Sequence, residues 1–211
     1  MSSTMTIKWY GHSCMAVTAD DYTIIFDPYE DGSVPGLKPL RVTADKVLCS
    51  HGHADHNAAA CVTIDPAASG KICPFTIEKI DSYHDENGGR QRGGNTIHIL
   101  EAAGLRVAHM GDIGCEPTPE QKARLKNLDV MMVPVGGYFT LEPKQIKQLT
   151  DELAPTIVIP MHYRGQGFGY DQIGDLAAYT SMCDDVIQYD SDTLTVQKPL
   201  KNQTAVLKFA R

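Results

Sequence analysis

The chain has 211 residues, 42% of them hydrophobic, 7% aromatic and 21% charged, a length and balance that suit one folded domain spanning residues 1–211 and exclude a disordered or low-complexity chain. Twenty-six acidic against nineteen basic residues give a formal charge of −7 with no basic stripe, which excludes a protein that grips phosphate backbones. No stretch of about eighteen apolar residues is present to cross a bilayer and the start lacks the pattern of a secretory signal, so the expectation is a cytoplasmic protein without nucleic-acid or membrane partners.

Ile7 to Tyr10, Cys14 to Thr18 and Tyr22 to Phe26 read as three strands of an antiparallel meander, separated by Gly11-His12 and Ala19-Asp20-Asp21. The third run ends in Asp27-Pro28, a long Gly/Pro-rich loop follows from Asp31 to Pro39, and Lys46 to Ser50 form a short strand leading to His51. Beyond the histidines, Asn57 to Cys61 can start a short helix, while Lys71 to Phe75, Ile77 to Ser82, Thr96 to Glu101 and Leu105 to His109 read as strands. Pro119 to Asn127 is predicted helical with Thr118 as N-cap, Val130 to Val135 a buried strand, Glu142 to Leu153 an amphipathic helix and Thr156 to Pro160 a second buried strand. A glycine-rich loop, a helix near Ile173 to Cys183 and three short strands complete the chain. Two β-rich blocks, each followed by alternating helices and strands, predict two sheets packed face to face with helices outside, an α/β sandwich.

Six widely spaced cysteines contain no C-x-x-C pair and read as core residues in a reducing compartment. The eight histidines carry the chemistry. His51-Gly52-His53-Ala54-Asp55-His56 places four donors in six residues at a strand end, and in extended backbone His51, His53 and Asp55 face one side with His56 turned from it. Imidazole and carboxylate without thiolate suit zinc and neighbouring divalent ions in a hydrolytic rather than a structural site. Four donors cannot fill two coordination shells, and His84, Asp112 and His162, each following a β-rich run, are the candidates to complete them.

Together with Gly11-His12-Ser13, Asp27-Pro28 and Gly111-Asp112, this pattern resembles the metallo-β-lactamase fold superfamily, and within it the small metal-dependent hydrolases similar to ascorbate-6-phosphate lactonase. The resemblance implies a four-layer αββα sandwich, His51, His53 and His84 on one metal ion, Asp55, His56 and His162 on a second, and Asp112 bridging. Thioester and antibiotic hydrolysis and nucleic-acid processing fit less well, because the chain lacks room for the extra domains or the metal-bound cysteine that those relatives use. The expected reaction is hydrolysis of a small anionic ester, lactone or phosphoester by two divalent ions, Zn2+ first with Mn2+ or Fe2+ as alternatives. They would hold a bridging hydroxide while Asp55 orients it and takes its proton. The rivals are a mononuclear iron persulfide dioxygenase and a metal-binding domain without turnover.

Other residues have two readings each. Arg90 and Arg92, in the run Gly88 to Gly94, and Arg164, beside His162, could anchor an anionic substrate whose charge backbone N–H groups also approach, or could belong to solvated loops. His109 could support the site or be satisfied by backbone; His12 could reach the metals or cap a turn; Asp27 is expected to hold a ligand imidazole by its free N–H; His98 reads as a sheet residue. The partner is then a small molecule, with a homo-oligomer left open.

Overall fold

The computed structural model describes residues 4–210. The first meander forms as β1 (Thr4–Gly11), β2 (Cys14–Ala19) and β3 (Tyr22–Phe26), antiparallel throughout. Two three-residue strands follow, β4 (Val42–Ala44) and β5 (Lys46–Leu48); β5 joins β3 in parallel, and β4 pairs with β6 (Val62–Ile64) in a separate ribbon. A second meander, β7 (Thr76–Tyr83), β8 (Gly94–Ala102) and β9 (Leu105–His109), leads into α1 (Pro119–Arg124), β10 (Val130–Pro134), α2 (Pro143–Leu153) and β11 (Ile157–Met161). Strands β9, β10 and β11 are parallel, so α1 and α2 are their crossover connections. A single helical turn, α3 (Ala177–Thr180), precedes β12 (Val186–Gln188), β13 (Thr193–Gln197) and β14 (Gln203–Val206).

The strands collect into a five-stranded sheet ordered β13-β1-β2-β3-β5 and a seven-stranded sheet ordered β12-β14-β11-β10-β9-β8-β7. Period-two alternation divides each strand of the smaller sheet between two environments. Met15, Val17, Ile24 and Phe26 face the seven-stranded sheet and enter one apolar core with Ile97, Ile99, Val107, Met132 and Ile159. Cys14, Ala16 and Ile25, on the other face, pack against Tyr29, Val34 and Leu40 of the long loop and Ala44 and Val62 of the ribbon. The smaller sheet thus has a thin outer cover of loop and ribbon. The larger one carries α2, which buries Ile146, Leu149, Thr150 and Leu153 along one helical face. No helix among the described residues is long and apolar enough to cross a membrane.

Thr118 and Gln121 form a reciprocal capping box that starts α1, in line with the N-cap expectation. The sequence reading does not contain the β4/β6 ribbon, α1 ends at Arg124 and not at Asn127, and three further expected elements form differently. Lys71 to Phe75 is irregular and not a strand; Pro74 has no N–H to give to a ladder, and only Phe75 is buried, against Tyr22. The helix expected at Asn57 to Cys61 is a 3-10 turn over Ala59–Cys61. The helix expected from Ile173 to Cys183 shrinks to α3, because Gly174 N donates to Gly136 O and Gly174 O accepts from Arg164 N, which holds that backbone against the loops beside His162.

Candidate metal centre

The polar cluster gathers where the chain leaves strand ends. His12 follows β1, Asp27 follows β3, His51 to His56 come after β5, His84 follows β7, Asp112 comes after β9 and His162 follows β11. Three of these residues sit in left-handed backbone, His12 at φ 51°, Asp27 at 45° and His162 at 51°, a conformation that L-residues with side chains adopt under tertiary constraint. The constraint is visible: His162 N donates to His12 O at 3.1 Å and Gly136 N donates to His162 O at 3.0 Å. At Gly111, with φ 57°, a Cβ would collide with Asn95 Oδ1 and Ser50 Cβ, so only glycine lets the strand end bring Asp112 into place. Asn95 fixes that residue further, its Oδ1 accepting from Asp112 N at 2.9 Å while its Nδ2 donates to Ser82 Oγ and Met110 O.

Two groups of donors meet across one carboxylate. His51, His53 and His84 offer nitrogen atoms within 4.8 Å of one another, and so do His12, His56 and His162 with a carboxylate oxygen of Asp55. Between them lies Asp112, whose Oδ2 is 3.0 Å from His162 Nε2, 3.2 Å from His56 Nε2 and 3.5 Å from His84 Nε2. His51 Nε2 and Asp112 Oδ1 are buried with no hydrogen-bond partner. An orphaned buried polar atom costs about 1–3 kcal/mol, so atoms of this kind, converging from imidazole and carboxylate, fit divalent cations.

The ligand rings are oriented from behind. Asp27, fully buried, accepts from Ser50 N and Ser50 Oγ, both at 2.6 Å, and its Oδ2 lies 2.8 Å from His56 Nδ1; Ser50 Oγ in turn lies 2.9 Å from His51 Nδ1. Such contacts fix the tautomer and leave Nε2 facing inward. His109 uses both ring nitrogens on backbone: Nε2 is 2.9 Å from Ser13 O and Nδ1 accepts from Gly111 N, so it ties the His12 turn to the Asp112 turn without entering the cluster. His98 pairs with His109 across β8 and β9 and stays in the sheet interior.

Electrostatics match this arrangement. Burial, then the nearby His56, lowers His51 to about 3, and burial with His162 lowers His12 to about 4, so both rings are neutral at pH 7, as metal ligands must be. Burial opposes charge on His56 too, but Asp112 and Asp27 on either side outweigh it and raise its pKa well above the ordinary value, so this ring keeps a proton that a bound cation would have to displace. Asp112 is held far below the carboxylate range, against its own burial, by His162 and His56. Asp27 is depressed to about 2, again against burial, by His109, His56 and Ser50.

All seven residues expected as ligands converge, and His12 stands among them: its Nε2 is 3.2 Å from Asp55 Oδ2 and its ring centroid 4.0 Å from that of His162. The three arginines part company. Arg92 lines the cavity of about 320 Å3 onto which His53, Asp55, His84, Asp112 and His162 face, whereas Arg90 and Arg164 do not; Arg164 is exposed and its Nη1 donates to Asp171 O. Nor do the loop's N–H groups await an anion from solution. Asp85 Oδ1 accepts from Asn87 N and Gly89 N and Oδ2 from Gln91 N and Arg92 N, so the anion in this nest is the protein's own. Sequence reasoning missed Tyr170 and Phe139, which line the cavity, and Asp85 and Asn95, which shape it. The Tyr170 hydroxyl lies 2.8 Å from Ser33 O and 3.2 Å from Asp55 Oδ2, one proton between two acceptors. Two of these four had a local signal: Phe139 in the Gly136-Gly137-Tyr138-Phe139 turn ahead of a helix, and Asp85 beside the glycine-rich run.

The family model described as a β-lactamase superfamily domain matches residues 6–162. The chain belongs to this superfamily. Among its relatives are UPF0173 metal-dependent hydrolases, one from Thermoplasma acidophilum at 22% identity over 75% of this chain and 83% of that protein, and one from Pyrobaculum neutrophilum at 28% over 75% and 84%. A crystal structure of a protein described as a Zn-dependent hydrolase of the metallo-β-lactamase superfamily, from Thermotoga maritima, matches with a TM-score of 0.74 at 27% identity, covering 96% of this chain and 97% of that one. An isothiocyanate hydrolase from Delia radicum gut bacteria shares the fold alone, with a TM-score of 0.63 at 12% identity over 84% and 91% of the two chains.

Proposed function

We propose that this chain is a metal-dependent hydrolase that works with two divalent ions, Zn2+ first among Zn2+, Mn2+ and Fe2+, on a small anionic ester, lactone or phosphoester. The reading is carried by one observation: a single buried carboxylate oxygen, Asp112 Oδ2, has Nε2 of His56, His84 and His162 all within 3.5 Å of it. That is the arrangement of a carboxylate shared between two donor sets. His51, His53 and His84 would hold one ion and Asp55, His56 and His162 the other, with Asp112 common to both and His12 beside the second. When bound, such ions lower the pKa of water to about 7 and polarise a carbonyl or phosphoryl oxygen.

The protein's own groups supply the rest. Asp55 is held below the carboxylate range, against its burial, by His12 and His56, so it is ionised at neutral pH, and its Oδ2 is anchored by His12 and Tyr170. It orients the attacking water and accepts its proton. The water oxygen bonds to the acyl carbon or phosphorus, the C–O or P–O bond breaks, and the proton passes to the departing oxygen, giving acid and alcohol. Phe139 and Tyr170 line the cavity with ring surface, and a substrate seated against them would displace water from it.

The test is a panel of lactones and phosphodiesters offered to chelator-stripped and metal-reconstituted protein. Turnover only in the reconstituted protein supports the reading. Asp55→Ala should then lose about one metal equivalent and at least about 10²-fold in rate. One iron per chain with oxygen consumption, or two ions and no hydrolysis of either class, would overturn it.

A further inference from the structure

Outside the histidine cavity runs a wider groove of about 650 Å3, and Arg92 and Phe139 line both. Aromatic rings continue from one to the other: Tyr170 and Phe139 have centroids 6.0 Å apart, and Phe139 and Tyr138 4.7 Å apart at 90°. Tyr138 is unusual twice over. It is 57% exposed, although it is a large apolar ring, and its backbone is left-handed at φ 61°, a conformation that strains a bulky residue. Glu142 keeps it there: its Oε1 accepts from Tyr138 N at 3.1 Å, and the same residue is locked into the capping box of α2 with Gln145. The fold therefore holds the backbone of a strained, exposed aromatic residue in the groove beside the candidate site.

Arg92 is the second observation. The four N–H bonds to Asp85 hold its backbone, and its guanidinium lies 5.6 Å from the Phe139 ring centroid. None of the ion pairs among the described residues includes it, and no other lysine or arginine lines either cavity. A half-buried cation on a fixed mount, left without a carboxylate partner beside the donor cluster, calls for an anion from outside.

We propose that the site selects anionic substrates that carry a planar ring on the far side of the negatively charged group: the charge lies on Arg92, and the ring lies in the outer groove on Tyr138. The proposal rests on the hydrolase reading for what is cleaved, but what binds is a separate matter and is tested separately.

Calorimetry with 1-naphthyl phosphate and methyl phosphate measures it directly, in metal-reconstituted and in chelator-stripped protein. The naphthyl ester should bind about tenfold tighter or better, since an aromatic pair adds to ordinary area burial. Tyr138→Ala should remove that preference and Tyr138→Phe keep it, with circular dichroism confirming that both fold. Arg92→Ala should weaken both phosphates by a similar factor and Arg92→Lys restore part of the loss. Equal affinity for the two phosphates, a preference that survives Tyr138→Ala, or indifference to Arg92→Ala would each overturn the proposal. A ring preference found in both metal states while the metal test fails would leave this inference standing and remove the hydrolase reading; the reverse pattern removes only the inference.

Discussion

His98 should govern a measurable part of the acid sensitivity of this protein. It lies 1% exposed between the sheets, tilted against Phe26 at 5.7 Å, with Nδ1 lacking a partner, and burial together with the His109 ring pushes its pKa from 6.5 down to about 4. Between those values the unfolded chain binds a proton at this position that the folded chain refuses, so stability rises with pH across the window and the penalty vanishes above about pH 6.5. At 1.36 kcal/mol per pKa unit the penalty amounts to about 1.4 kcal/mol at pH 5.5 and about 2.5 kcal/mol at pH 4.5. A phenylalanine in place of this histidine keeps the apolar contact with Phe26 and cannot take the proton. The difference in unfolding free energy between His98→Phe and the parent, read from urea titrations at pH 7.5, 5.5 and 4.5, should therefore shift in favour of the variant by these amounts as pH falls. Metal release in acid affects both proteins and cancels in the comparison. A difference that stays constant with pH would refute the reasoning, whatever its size.

Gly111→Ala should lose about 1–3 kcal/mol, because its Cβ meets Asn95 and Ser50 and its backbone is left-handed; a thermal melt reads this as a fall of several degrees, and an unchanged Tm would contradict the packing argument. Asp85→Ala should speed amide exchange at Asn87, Gly89, Gln91 and Arg92 together and raise KM more than it lowers kcat, since it loosens the mount of Arg92 and leaves the donor cluster alone. Asp27→Asn keeps the shape but presents an NH2 group to donors from Ser50 and His56, and metal titration should show one equivalent bound about 10–100-fold more weakly.

What was readable in the chain follows the range of the physics involved. The H-x-H-x-D-H run was legible because its donors are neighbours, and α1 because Thr118, Pro119 and Gln121 write a complete start signal within four residues. The ribbon of β4 and β6 was not, since each strand has three residues and is stabilised by a partner far away in sequence. Tyr170 escaped notice for the same reason: its partners Ser33 and Asp55 lie more than a hundred residues earlier, and nothing local distinguishes it from any loop tyrosine. The glycine-rich run after His84 reads either as N–H groups that approach a substrate anion or as a solvated hairpin, and only the fold shows that its N–H groups are taken by Asp85, its neighbour in the sequence. Arg90, Arg92 and Arg164 look alike as letters; only the turn that Asp85 imposes and the loop tied to Gly174 decide that Arg92 alone lines the cavity.

The strand ends act as a rigid frame. Six of them deliver His12, Asp27, the His51–His56 loop, His84, Asp112 and His162 to one place, and the buried bonds of Asp27, Asn95 and His109 hold the turns that carry them. Two donor sets on one carboxylate is the central claim, and metal content tests it most directly. Elemental analysis of purified protein should give two ions per chain for the parent and about one each for His53→Ala, which strips one set, and His162→Ala, which strips the other. A parent that holds a single ion, or two variants that both retain the parent's full content, would contradict it.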